Sequence, residues 1–198
     1  ERLGRAVEIA PDGELKIRDG RLRVCRNIPV ETLGEELADR QFDVILSRAV
    51  LEHTADAAQA WTAMCGRLKP GGEMWHKIDF RSHNFYNAIH PLYFLTLPEG
   101  FWRIVSRPDP TLNRERLPFY REAIGRTFPD AKIYVSRILE HAEILPHVSL
   151  EEVDRHVIEA DLELLERVRP QLIARLREQP AADILIGGVF VSCRSRAN

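Results

Sequence analysis

The chain has 198 residues, the size of one ordinary domain. Apolar residues make up 44% and charged residues 29%, enough hydrocarbon to bury a core, which excludes general disorder. The 28 Lys and Arg nearly balance the 30 Asp and Glu, and the formal net charge of -2 excludes a sequence-wide attraction to nucleic acid or anionic lipid.

From Glu14 to Val24 apolar residues alternate around Asp19-Gly20, which predicts a hairpin. Residues 27–40 carry a short helical pattern through Leu33 and Leu37 after the break at Pro29. Phe42-Asp-Val-Ile-Leu46 is apolar without alternation, the pattern of a central parallel strand covered on both faces. Ala57, Ala60, Trp61, Met64 and Leu68 recur at helical spacing, predicting a helix over 55–68 that Pro70-Gly71-Gly72 stops. Residues 73–80 are again strand-like, so 42–80 spell one βαβ unit.

Residues 81–113 hold His, Pro, aromatics and Asn without a period, and read as a long structured loop with a short helix near 91–97. A helix over 117–126 and a strand over 131–138 follow. Ser149 and Glu152 form a capping box, and Val153, Val157, Leu162 and Leu165 give the helical region 149–177 an apolar face, divided at Pro170. Residues 182–193 predict a last buried strand. No apolar run reaches the roughly 20 residues that span a bilayer, and no signal pattern opens the chain, so the cytoplasm is the default address. Cys25, Cys65 and Cys193 fit neither a disulfide framework nor a zinc site and read as reduced structural thiols.

The run Phe42-Asp-Val-Ile-Leu-Ser-Arg-Ala-Val-Leu-Glu-His53, followed one helix later by Leu68-Lys-Pro-Gly-Gly72, resembles the class I S-adenosylmethionine-dependent methyltransferases of the type 11-like kind. The resemblance covers about 25–194 and implies a Rossmann-like α/β sheet, mostly parallel with an antiparallel C-terminal strand. A further run, His76-Lys-Ile-Asp79-Phe-Arg-Ser-His83, with His90 and Asn113-Arg-Glu-Arg, is similar to a bacterial subgroup associated with glycan or small-molecule methylation. The domain is read as a single one over 1–198, with 81–130 as the acceptor-pocket insertion and 149–178 as a helical segment. The glycine-rich turn of the family is not found. Val7 to Gly13 reads as a remnant, so the N-terminal strands are incomplete, and Phe42 to Leu46 is expected to be an exposed apolar edge. Two readings stay open, since the chain begins with Glu1 rather than Met: an absent upstream segment, or a reduced relative that covers this edge by homodimerising.

The resemblance implies S-adenosylmethionine as cofactor, contacted by Ser47, Arg48 and Ala49 beyond the end of the parallel strand, with Glu31 as the remaining acid near the adenine. The structural readings are a backbone cap for Ser47, a solvated loop cation for Arg48 and a surface carboxylate for Glu31. His53 faces the methyl acceptor as a base or donor, or caps a helix. His76 and Asp79 are candidates to orient and deprotonate the acceptor. The spacing of His76, Asp79, His83 and His90 matches no strong metal signature, and no metal is expected. Trp61 and Trp102 read as core or pocket wall, and Glu163, Glu166, Arg167 and Arg169 as a solvated face. The expected partner is a small-molecule or glycan substrate. The alternative is a non-catalytic, partner-binding or structural module of the same fold.

Overall fold

In a computed structural model of the chain, the structure describes residues 7–9, 15–17, 25, 27–37, 40–83, 89–105 and 112–196. Strands β1 (Val7–Ile9) and β2 (Leu15–Ile17) pair antiparallel as a separate two-stranded sheet. Leu15–Ile17 is thus a hairpin strand as expected, but it pairs with Val7–Ile9, the presumed remnant, and the rest of the expected hairpin lies outside the described residues. A 3-10 turn at Val30–Thr32 leads into the short helix α1 (Leu33–Glu36).

The main sheet has five strands in the order β3 (Phe42–Arg48), β4 (Leu68–Asp79), β7 (Ile186–Arg194), β5 (Lys132–Ile138) and β6 (Val148–Ser149). β3 and β4 are parallel, and β7 runs antiparallel to both β4 and β5. Hence β3, β4 and β5 share one direction against the C-terminal strand, which makes the fold mixed α/β and Rossmann-like. The two-residue β6 also runs antiparallel, to β5.

The crossover helix α2 (Ala57–Cys65) starts where Asp56 accepts a hydrogen bond from the Gln59 amide at 2.9 Å, satisfying one of the free N–H groups of the first turn. It ends at Cys65, three residues short of the expected end at 68, with Gly66 as its C-cap. Pro70-Gly71-Gly72 lies inside β4 instead, where the register jumps from Phe42 opposite Leu68 to Val44 opposite Glu73. Gly71 takes a positive φ of 76° there, and a Cβ on Gly72 would stand 3.0 Å from the Asp43 carbonyl oxygen.

Met74 and Ile78 of β4 and Val189 and Val191 of β7 share one sheet face. Trp61 and Met64 of α2, Tyr120 and Ile124 of α4 (Leu117–Thr127) and Ile184 and Leu185 of α7 (Ala181–Leu185) join them in the core. Trp61 and Trp102 are both buried, as read; Trp102 belongs to α3 (Glu99–Val105) and carries the Arg114 guanidinium 4.7 Å over its ring. The opposite face of β3 and β4 differs from the expectation of a strand covered twice. Val44, Leu46 and Trp75 are exposed there, Leu46 at 69%, and β3 is the sheet edge among the described residues. The expected exposed apolar edge is therefore observed among the described residues.

The region 149–177 is helical but broken. A 3-10 run (Leu150–His156) is capped as expected, with Glu152 accepting from the Ser149 amide and hydroxyl. Asp161 then turns back to accept from the Ile158 amide at 3.2 Å, starting a new helix, α5 (Glu159–Val168). Pro170 lies in the 3-10 turn Arg169–Gln171 that follows, and α6 (Ala174–Arg177) closes the region. Leu162, expected inward, is exposed, while Asp161 is buried beside His141 at 2.8 Å. The last strand begins at Ile186 rather than 182, because 181–185 form α7.

Candidate functional site

The C-terminal ends of β3 and β4 bring together most of the residues singled out in the sequence. After β3 the chain leaves the sheet at Ala49, whose φ of 53° is left-handed and whose amide donates to the Lys77 carbonyl at 2.9 Å. A 3-10 turn, Leu51–His53, follows. Asn113 ties this turn down: its amide donates to the Glu52 carbonyl at 2.8 Å and its Nδ2 to the Leu51 carbonyl at 2.7 Å. Tyr120 Oη adds a bond to the same Leu51 carbonyl at 3.3 Å. The loop over 112–116 therefore fixes the turn after β3, a role the sequence assigned to no single residue.

A cavity of about 400 Å³ opens between this turn and the 28–31 segment, lined by Ile28, Pro29, Val30, Glu31, Ala49, Val50, His53, Thr54 and Ala55. Glu31 does not offer a free carboxylate to it. Its Oε1 accepts from the amides of Ala55 at 2.7 Å and Asp56 at 3.1 Å, clamping the segment onto the start of α2. Arg48 and Ala49 line a second cavity of about 260 Å³, with Lys77, Asp79, Arg81, Arg137 and Glu143. Its acids are paired, Glu143 with Lys77 at 2.5 Å and Asp79 with Arg81 at 2.6 Å.

Ser47 points the other way. Its Oγ shares a 2.8 Å hydrogen bond with His76 Nδ1, beneath Trp61, whose ring centroid lies 5.6 Å from that of His76. His76 has no exposure, and burial lowers its pKa to about 4, so it is neutral. The structure thus places both Ser47 and His76 in the packing between β3, β4 and α2. His76 is set apart from Asp79 and His53, because residues two apart on β4 share a face and 76 and 79 do not.

At the sheet end Asp79 and His53 are linked through His83. The Arg81 guanidinium forks onto the Asp79 carboxylate with bonds of 2.6 to 3.1 Å. Burial alone raises Asp79, but the Arg81 fork outweighs it and holds the carboxyl below its ordinary range. His83 Nε2 stands 3.7 Å from the same carboxylate, and its ring meets that of His53 edge-on at 4.8 Å between centroids. Burial lowers the His83 pKa, and the charges of His53 and Arg81 lower it further. Beneath them lies Glu52, 3% exposed, with no hydrogen bond to either carboxylate oxygen. Burial, aided by the nearby Asp79 charge, pushes Glu52 up to about 7 against the pull of backbone N–H dipoles and Arg81. Glu52 was legible in the sequence only as a neighbour of His53, since nothing in the local pattern marks which of two adjacent residues turns inward.

Residues 11–75, about a third of the chain, match the family model described as a methyltransferase domain. Among solved structures, the chain is similar to phosphoethanolamine N-methyltransferase 2 of Haemonchus contortus in complex with S-adenosyl-L-methionine. That likeness has 18% identity and a TM-score of 0.38, and covers 78% of this chain and 33% of the other. A second structure of that enzyme, with phosphomonomethylethanolamine and S-adenosylhomocysteine, gives 18%, a TM-score of 0.36 and coverages of 79% and 34%. The chain spans about a third of the length of these enzymes. No curated protein matches it.

Proposed function

We propose that this chain carries a methyl-transfer site, with S-adenosylmethionine in the cavity between 28–31 and 49–55 and a small-molecule or glycan acceptor at the polar cluster beside it. The observation that carries the reading is the position of His53, which lines the cavity and also meets His83 of the cluster. The methyltransferase-domain match over 11–75 supports it.

The residues present fit the nucleoside end of such a cofactor: Ile28, Pro29, Val30 and Val50 supply apolar walls for a flat ring, and Ala49 and Ala55 leave room beside them. Bound there, the cofactor supplies an electrophilic methyl group on a sulfonium. The chain contributes position and proton handling. Asn113 and Tyr120 hold the turn that carries His53, so the imidazole is oriented before an acceptor arrives. His53 accepts the acceptor proton or a hydrogen bond from it, and Asp79, fixed by Arg81, helps orient the acceptor. Arg48 and Ala49 stand at the mouth of the neighbouring basic cavity. Glu31 acts on the cofactor only indirectly, by fixing the cavity wall. Ser47 and His76 support the strands from behind.

Calorimetric titration of S-adenosylhomocysteine into the full chain tests this. Micromolar binding is expected, lost in Val30→Arg, which fills the cavity, and retained in His53→Ala. No binding by the wild-type chain overturns the reading and favours the non-catalytic module.

A further inference from the structure

We infer that Glu52, His53 and His83 form a binding site for one divalent transition-metal ion of the zinc class. Among the described residues, they are the one group of three ligating side chains whose donor atoms all lie within 4.8 Å of one another. Side chains that share an ion at about 2.0–2.2 Å bring their donors to roughly 3–4 Å apart, a closure within ordinary rotamer adjustment.

The second observation is Glu52 itself. A carboxyl 97% withdrawn from solvent, with neither oxygen hydrogen-bonded, must be neutralised by a proton or completed by a cation, and the imidazoles of His53 and His83 beside it supply the rest of a cation's donor set. Among the described residues, no cationic side chain pairs with it. Arg81 is committed to Asp79, and to Glu140 at 3.6 Å. Arg116, the fully buried cation nearby in the core, donates to the carbonyls of Phe80, Ile184 and Ile186.

The third observation is the backbone at His83, with a φ of 52°. That conformation is uncommon outside glycine, and such residues persist where surrounding structure or a ligand over-determines them. Here it turns the imidazole back toward His53. One carboxylate with two imidazoles is a borderline-soft donor set: it suits Zn2+, Co2+ or Ni2+, leaves an open coordination position, and suits Mg2+ or Ca2+ poorly, since those prefer an all-oxygen shell. The ligands come from the turn after β3 and from the segment after β4, so the ion would pin the two together. With the ion bound, His53 has no lone pair left to take the acceptor's proton, so ligation replaces its role as a base, and the binding claim does not depend on the acceptor reading.

The test uses the full chain freed of metal with a chelator, then titrated with ZnCl2 by calorimetry against a chromophoric zinc chelator. One ion per chain is expected at micromolar affinity or tighter, with MgCl2 giving no comparable heat. Glu52→Gln and His83→Ala should each weaken Zn2+ by at least about tenfold, while Glu163→Gln on the exposed face of α5 leaves it unchanged. Substituting Co2+ should give the intense visible bands of a four- or five-coordinate ion, lost in both variants. Absence of Zn2+ binding overturns the inference, and so does binding that Glu52→Gln and His83→Ala leave unaltered, which would place the ion elsewhere, for instance on the exposed Cys25. Circular dichroism of the metal-free variants confirms that lost binding is not lost folding. Titrating S-adenosylhomocysteine with chelator present separates the two claims, because the nucleoside cavity does not require the ion.

Discussion

A histidine with no exposure gives up its charge, and His76 does so with a pKa near 4 against an ordinary 6.5. The unfolded chain therefore takes up a proton before the folded one does. The contribution of His76 to stability is fully present above pH 6.5 and is lost as pH falls through 4, a swing of about 3 kcal/mol. We expect the stability of wild type relative to His76→Phe, measured by urea denaturation with chelator present, to rise by about that amount from pH 4 to 6.5. A difference that stays level across this range would mean that His76 titrates normally. His76 and Asp79 were both visible as polar positions at the end of a strand, but a strand alternates, and only Asp79 lies with the site. Glu31 was legible as the acid near the expected adenine. That its oxygen serves two amides at the start of α2 depends on a fold-back of 24 residues.

At the scale of elements, glycines at strand junctions separate sharply from glycines on helices. A Cβ on Gly187 would stand 2.2 Å from the Leu139 carbonyl oxygen and 2.9 Å from its nitrogen, both backbone atoms that no side-chain rotation can move. Leu139 already holds a positive φ of 38°, just past the slip in the β5–β7 register between Val135 and Ile138. Gly187→Ala should therefore cost at least about 3 kcal/mol in chemical denaturation, at or beyond the upper end of ordinary overpacking. A loss under about 1 kcal/mol would mean that the junction yields. Gly125, exposed within α4, has open space around the same position. There Gly125→Ala should stabilise by about 0.5–1 kcal/mol, readable as a raised Tm. The elements themselves were largely legible. β3, α2, α4 and β5 fall close to the stretches their apolar spacing indicates, because each pattern is a local property of the chain. The start of β7 was not, since 181–185 are apolar enough for a strand and become helix only by packing Ile184 and Leu185 into the core.

For the molecule as a whole, Arg116 is the tie between its parts. Fully buried, it donates to Phe80 after β4, to Ile184 in α7 and to Ile186 at the start of β7, with its guanidinium 5.3 Å over the Phe80 ring. Burial lowers its pKa to about 10, so it remains charged at neutral pH. Arg116→Ala strands three carbonyls without a donor, and at about 1–3 kcal/mol for an unsatisfied buried group it should cost 3 kcal/mol or more. Arg116→Lys should recover only part of this, since an ammonium cannot reproduce the planar fork. A denaturation midpoint unchanged in Arg116→Ala would show that water replaces the guanidinium.

The sequence by itself determined the βαβ unit over 42–80, the resemblance carried by 42–53 and 68–72, and the apolar character of the strand at 42–46. These are consequences of local periodicity and short-range motifs, which need no partner to be read. Only the tertiary structure decided that Glu52 lies buried beneath His53 and His83, that Asn113 and Tyr120 hold the turn beside them, and that Ser47 turns to the buried His76 on the core side of the sheet. Those facts join residues about 30 to 70 positions apart. The pairing of strand ends and the burial that shifts a pKa exist only once distant segments have packed.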